Sequence, residues 1–260
     1  MSHSKSKKNT LDQFRVLATG PAAQETTAME VPDWVTVQKK TFTRWCNTHL
    51  AERQITINDL QHDLQDGIIL IHLLEILSSE KLGQYCQNPK LRVQKMSNLS
   101  KSLSFLQKKG IRLVGIGAED ILDSNLKLIL GLIWPLILLT PQHKRSIGAG
   151  SPHYALLEWV RSKIPQHNIK DFTSDWTSGE ALYDLVNAVE PGTLPEKLSS
   201  NPLENCTIAM DAAATKMNIP HLLDPQDMVQ FSDELSNMIY ITYFCDYMPA
   251  PKTAPSALSI

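Results

Sequence analysis

Signatures of small-molecule chemistry are missing from this 260-residue chain. It holds no GxxxxGK(S/T), GxGxxG, HExxH or GxSxG motif. Nothing therefore signals a phosphate-cradling loop, a zinc helix or an exposed nucleophilic serine. Gly115–Ile116–Gly117 comes nearest to a glycine loop, but a third glycine and a preceding strand are absent, so it reads as a tight turn. The four cysteines (Cys46, Cys86, Cys206, Cys245) form no CxxC and no tight Cys/His cluster. Reduced thiols are expected, with neither a zinc site nor a disulfide framework. The eight histidines are dispersed, and His49, His62 and His72 do not fall at i, i+4 on one helix. Glu119, Asp120 and Asp123 cluster without the alternating oxygen ligands of an EF-hand, so helix capping is expected of them. The expectation is a protein that is not an enzyme and needs no metal or cofactor.

Long apolar runs are scarce as well. The longest, Leu126 to Leu139, is 14 residues with Lys127 inside it, whereas a bilayer span needs about 20. Met1 to Lys8 is polar with no apolar stretch behind it, so no signal peptide is expected. A soluble, cytoplasmic protein follows as the expectation. No stretch alternates apolar and polar residues long enough to argue for a sheet.

What the chain does have is a core's worth of apolar residues, 42%, with 20% charged and a net charge of −2. At about 100–150 residues per domain, that suggests two small domains. Residues 1–33 are rich in Ser, Thr, Lys, Ala and Gln and are expected to form a disordered head. Residues 140–152 combine Pro, Gly and Ser and read as a linker; residues 249–260 read as a flexible tail. The folded blocks are then 34–139 and 153–248.

These blocks resemble each other. Trp45 matches Trp159, Leu64–Leu77 answers Trp176–Val189 with Gly67 aligned to Gly179, and Ile116–Asp120 answers Leu223–Asp227. Three motifs kept in order indicate a duplicated domain. Both copies read as helical. Phe42, Trp45, Cys46, His49 and Leu50 share one helix face, as do Leu156, Leu157, Val160 and Ile164. Ser151–Pro152 reads as an N-cap followed by proline in the first turn. Asp66–Gly67 and Ser178–Gly179 precede apolar helices; the polar residue can accept a backbone N–H, and the glycine permits close backbone approach. The near-continuous apolar run Leu126–Leu139 marks a helix buried on most faces.

Charge separates the copies. Block 34–139 has 13 basic and 9 acidic residues, net +4, while block 153–248 has 5 and 14, net −9. The first copy is thus suited to an acidic partner. Nucleic acid is not expected, because the basic residues lack interleaved aromatics and the acidic companion would repel a duplex.

The segment Gln38–Asn47 (QKKTFTRWCN) resembles the first signature of actinin-type actin-binding regions, which are tandem calponin-homology domains. Leu113–Trp134 (LVGIGAEDILDSNLKLILGLIW) resembles the second signature, and its DSNLKLILGLIW part is most similar to filamins. The resemblance implies an all-α fold of two such domains, each a bundle of about four main helices plus short ones. It implies non-enzymatic binding to the side of filamentous actin, as in the head of a filamin-like cytoskeletal crosslinker. The family's contact segments fall here on Trp34, Gln38, Lys39, Lys40, Thr41, Phe42 and Arg44, with Phe42 open between core and contact; on the loop around Arg92, Gln94, Lys95 and Met96; and on Arg112 through Leu130, with Asn125, Lys127 and Leu128 at its heart. In the second domain they fall on Tyr154 to Val160, with Tyr154, Leu157 and Glu158 as candidates. Opening and closing of the two domains, latched by their opposite charges, is the implied mode of regulation. This segment is expected to be monomeric, with any dimerisation coming from regions outside it. The alternative is a membrane-recruited adaptor that binds phosphoinositides or microtubules. Trp45, Leu130, Ile133 and Trp134 are expected in the core rather than at a contact. One departure is Pro135 where the family has threonine; it should bend or stop the helix near Trp134 unless neighbours compensate.

Overall fold

The computed structural model describes residues 33–140, 151–195 and 198–248. Residues 1–32 of the expected head, residues 141–150 of the expected linker and the expected tail lie outside the described residues, while Asp33 and Pro152 each open a helix. The chain divides into two compact units at the Pro152–His153 junction. Among the described residues all regular structure is helical.

The first unit is built from α1 (Asp33–Leu50), α2 (Ile68–Ser78), α3 (Arg92–Lys108), the short α4 (Ala118–Leu122) and α5 (Leu126–Leu139). Helix α1 packs on α2 and α5, α2 packs on α3 and α5, and α4 sits against α3 and α5. The anticipated stripe is the core: Phe42, Trp45, Cys46 and Leu50 are buried, as are Leu70, Leu74, Ile129 and Ile133 on the helices packed against α1. Trp134 and Leu130 are buried too. Helix α5 runs through Pro135 without ending and is capped by Thr140, whose N–H and Oγ both donate to the Ile137 carbonyl. The expected stop at Trp134 does not occur. Buried Leu132, Ile133, Leu136 and Ile137 hold the helix through the missing hydrogen bond.

The second unit repeats the plan with α6 (Pro152–Lys163), α7 (Glu180–Val189), α8 (Pro202–Met217), the short α9 (Pro225–Gln230) and α10 (Glu234–Asp246). Helix α8 packs on α7 and α9. Pro152 does open α6, but the Ser151 hydroxyl is buried and has no hydrogen-bond partner, so the expected N-cap bond is not made.

The duplication extends to individual hydrogen bonds. Gly67 (φ +77°) and Gly179 (φ +73°) occupy the same left-handed position before α2 and α7. A Cβ on Gly67 would lie 2.8 Å from Asn98 Cβ and 2.9 Å from Leu99 N; on Gly179 it would lie 2.9 Å from Asn205 Cβ and Cys206 N. Asp66 Oδ1 accepts from Ile68 N at 2.8 Å, and Ser178 Oγ accepts from Glu180 N at 3.3 Å. The asparagine met by each glycine is buried and ties three strands of chain together. Asn98 accepts from Cys86 N and donates to the carbonyls of Cys86 and Asp66. Asn205 does the same with Ser199 N, Ser199 O and Ser178 O. Asp63 and Asp175 each cap two successive backbone N–H groups in the segment before.

All four cysteines are free, and burial pushes the Cys46 and Cys206 thiols above their ordinary range, so these two pack as apolar groups. His49 rests edge-on against Trp45, with its Nε2 buried and unpartnered. Burial lowers its pKa, partly offset by Glu52. His72 is lowered likewise by burial and then by Arg53, whose Nη1 donates to His72 Nδ1 at 2.6 Å.

Two stability tests follow from this packing. Gly110 (φ +81°) has open space where a Cβ would go, so Gly110→Ala should cost only the left-handed strain, about 1–2 kcal/mol. Gly67→Ala adds overlap with the α3 backbone and should cost at least ~1 kcal/mol more; equal losses in urea unfolding would contradict the close approach. The histidines predict a slope with pH. The unfolded chain takes up protons that folded His49 and His72 refuse, so stability is full above the ordinary value of 6.5 and declines as pH falls below it. His49→Phe, which keeps a ring against Trp45, should flatten part of the decline between pH 7.5 and 5.5.

Candidate functional site

The sequence-derived contact segments of the first unit come together through a stretch that is absent from the sequence-derived set, residues 57–66. Its anchor is Asn47, which exchanges two hydrogen bonds with the backbone of Ile57 at 2.8 and 2.9 Å. From there Asp59 reaches Lys39 on α1, with Oδ1 2.6 Å from Nζ, and also holds His62 at 2.5 Å. These two partners, Lys39 first, pull the Asp59 carboxyl down to about 2. Further along, Gln61 and Gln65 donate to the α4–α5 corner, at Ser124 and at the Leu122 carbonyl. The N-terminus of α3 is fastened to the same corner by Arg92, whose guanidinium donates both Nη groups to Asp123, at 2.8 and 3.1 Å. That bidentate grip holds the Asp123 carboxyl below its usual range. One continuous surface thus runs from α1 across residues 57–66 to the start of α3 and the start of α5.

The structure sorts the candidates. On α1, Lys40 is exposed, while Trp34, Lys39 and Arg44 are half-buried. Gln38, Thr41 and Phe42 are 6%, 0% and 0% exposed and face inward. They lie on the face of α1 that packs against the rest of the first unit. Arg92 is exposed, Lys95 and Met96 are half-buried, and Lys95 lines a shallow cleft with Thr56, His62, Gln65 and Ile69. Gln94 is half-buried, and its Oε1 accepts from the N–H groups of Lys90 and Leu91, closing the start of α3. Arg112, Asn125 and Lys127 are exposed and Leu128 is half-buried. Asn125 caps α5, accepting from Leu128 N.

In the second unit Tyr154 is 58% exposed and Glu158 is exposed and paired with Arg161 at 2.9 Å. Leu157 is 3% exposed and belongs to the core stripe of α6. The acidic trio also divides. Asp120 caps, accepting from Gly117 N at 2.8 Å, but Asp123 lies past the end of α4 and serves Arg92 instead.

Asp59, Gln61, Gln65 and the exposed Leu91 lie outside the sequence-derived contact segments, while Asp123 and the exposed Val93 and Val114 lie inside them without being among the named candidates. A faint signal existed for some of them. Gln61 and Gln65 are four apart, and the three apolar residues flank Arg92 or sit two beyond Arg112, outside any helical stripe.

Residues 36–142 and 150–250 each match the model of the calponin homology (CH) domain. The chain belongs to the calponin-homology family. This CH pair is 40% identical to Filamin-A of Drosophila melanogaster over 229 residues, covering 83% of this chain and 10% of that protein. It is 42% identical to Interaptin of Dictyostelium discoideum, over 82% of this chain and 13% of that protein. Alpha-actinin-like protein 1 of Schizosaccharomyces pombe is 39% identical, with coverages of 88% and 38%. The chain therefore spans well under half the length of these relatives. Among solved structures, the actin-crosslinking core of Schizosaccharomyces pombe fimbrin shares the fold, with a TM-score of 0.70 at 18% identity over 83% of this chain and 49% of that one.

The Lys39–Asp59 contact has a direct test. The Asp59 carboxyl should titrate near pH 2 by NMR, and Lys39→Met should move it up toward 3.8. Because the folded value is depressed, the stability tied to this pair is present above 3.8 and lost as pH falls through about 2. An Asp59 resonance that titrates at 3.8 in the parent chain would remove the pair from the surface.

Proposed function

We propose that this CH pair binds the side of filamentous actin, without catalysis, as the actin-binding region of a filamin-like crosslinker of the cytoplasmic cytoskeleton. The observation that carries the reading is the first unit's surface, where basic and apolar side chains stand exposed together on a module of this family. Lys40, Arg112 and Lys127 supply positive charge, and Leu91, Val93 and Val114 supply apolar area. Positive groups attract an acidic polymer from a distance, and apolar groups add contact area once it has docked. Family membership with filamin and α-actinin relatives supports the same reading, as does the fold held in common with an actin-crosslinking core. Lys39 and Arg92 are the weaker cations of the set, since Asp59 and Asp123 already neutralise them.

In the second unit Tyr154 is the side chain best placed to add contact, being large and exposed at the start of α6. The unit's net charge of −9 against +4 in the first favours attraction between them at low salt.

Pelleting with filamentous actin decides the reading. The chain should sediment with filaments at low ionic strength, and the bound fraction should fall steadily as salt rises. Arg112→Glu with Lys127→Glu should weaken binding by about tenfold or more, since two attractive charges become repulsive. A chain that stays in the supernatant at low salt, or pelleting indifferent to the double reversal, would overturn it.

A further inference from the structure

The corner between α4 and α5 holds a residue other than glycine in the left-handed region, and both its own backbone and side chains from outside it keep it there. Ser124 has φ +60°, in the left-handed region. Serine is neither glycine nor one of the residues that adopt this region readily. A residue held there persists only where the surroundings over-determine it. Here Ser124 N–H donates to the Ile121 carbonyl at 3.1 Å, closing the end of α4 as helix C-caps do, and side chains from elsewhere in the first unit add to that hold. Gln65 Nε2 donates to Ser124 Oγ at 2.7 Å and to the Leu122 carbonyl at 3.2 Å. Gln61 Nε2 donates to the Ser124 carbonyl at 3.1 Å. Immediately beyond, Asn125 N–H bonds the Asp120 carbonyl at 2.8 Å and α5 begins. Lys127 and Leu128 lie in the first turn of that helix, so the corner sets the direction in which they are presented.

We propose that Gln65, assisted by Gln61, is a positioning residue for filament binding: its amide locks the Ser124 corner and so fixes the first turn of α5 as a contact surface. The inference rests on the filament-binding reading above and assigns a role to two side chains that need not touch the partner. Its physical basis is preorganisation. A corner free to relax toward negative φ would present Lys127 and Leu128 in several directions, and binding would have to freeze one of them.

Pelleting with filamentous actin tests this on the full chain. Gln65→Met keeps length and packing and removes the donor. It should weaken binding about fivefold, the loss expected for neutral hydrogen bonds of this kind, while the melting temperature stays near that of the parent. Gln61→Met removes one bond and should weaken binding about twofold; it decides the matter if the Gln65 variant does not fold. The readout that a merely structural role would not move is a cycle with Lys127→Ala. If Gln65 acts through the first turn of α5, the double variant binds no worse than Lys127→Ala alone. Parent-like binding of Gln65→Met, or full additivity in the cycle, would overturn the proposal and leave the filament reading intact. A parent chain that does not pellet at all overturns both.

Discussion

Each half of this molecule depends on one close approach, a glycine in the left-handed region pressed against the backbone of a neighbouring helix, with a buried asparagine closing the gap. Where Gly67 meets Asn98 and Gly179 meets Asn205, there is no room for a Cβ. The peptide groups left exposed by the approach are satisfied by the asparagine side chain, which has donors and an acceptor to offer in different directions. Burying such an amide is costly unless its bonds are made, and both copies make them. The device fixes how α2 lies on α3 and how α7 lies on α8, and it brings the irregular segments before α3 and α8 under the same control.

With that frame set, the first unit can carry an outer surface assembled from distant parts of the chain. The polar side chains that join its pieces bond to other parts of the protein, whether or not they also reach solvent. Asp59, Gln61, Gln65 and Asp123 spend their hydrogen-bonding capacity inside the protein, while Lys40, Arg112 and Lys127 are exposed to solvent. An arrangement of this kind orders a binding face before the partner arrives, so less freedom is lost on docking.

Much of this was legible in the residues alone. The helical stripes of α1 and α6, the two glycine turns and the buried character of α5 follow from periodicity and from the few conformations each residue type allows. The site was less legible. Gln38, Thr41, Phe42 and Leu157 sat within contact segments by resemblance, yet a helix has an inside as well as an outside, and burial assigns these four to the core. Leu157 was already part of the α6 stripe, and there periodicity was the better guide. Asp59, Gln65 and Asp123 escaped because their partners, Lys39, Ser124 and Arg92, are 20 or more residues away in sequence, and only tertiary structure brings them together. For Pro135 the alternatives stayed open in the sequence for a related reason: local rules count the lost hydrogen bond, whereas the packing that compensates for it is tertiary.

That proline divides α5 into a stretch supported by its own ladder and a final turn that leans on side-chain packing. Without an N–H at Pro135, the rung back to Gly131 is missing, and Leu136 and Ile137, both fully enclosed, anchor the end of the rod. Fraying from the C-terminal end therefore meets a seam one turn in, where unwinding gives up enclosed surface at once instead of one backbone bond at a time.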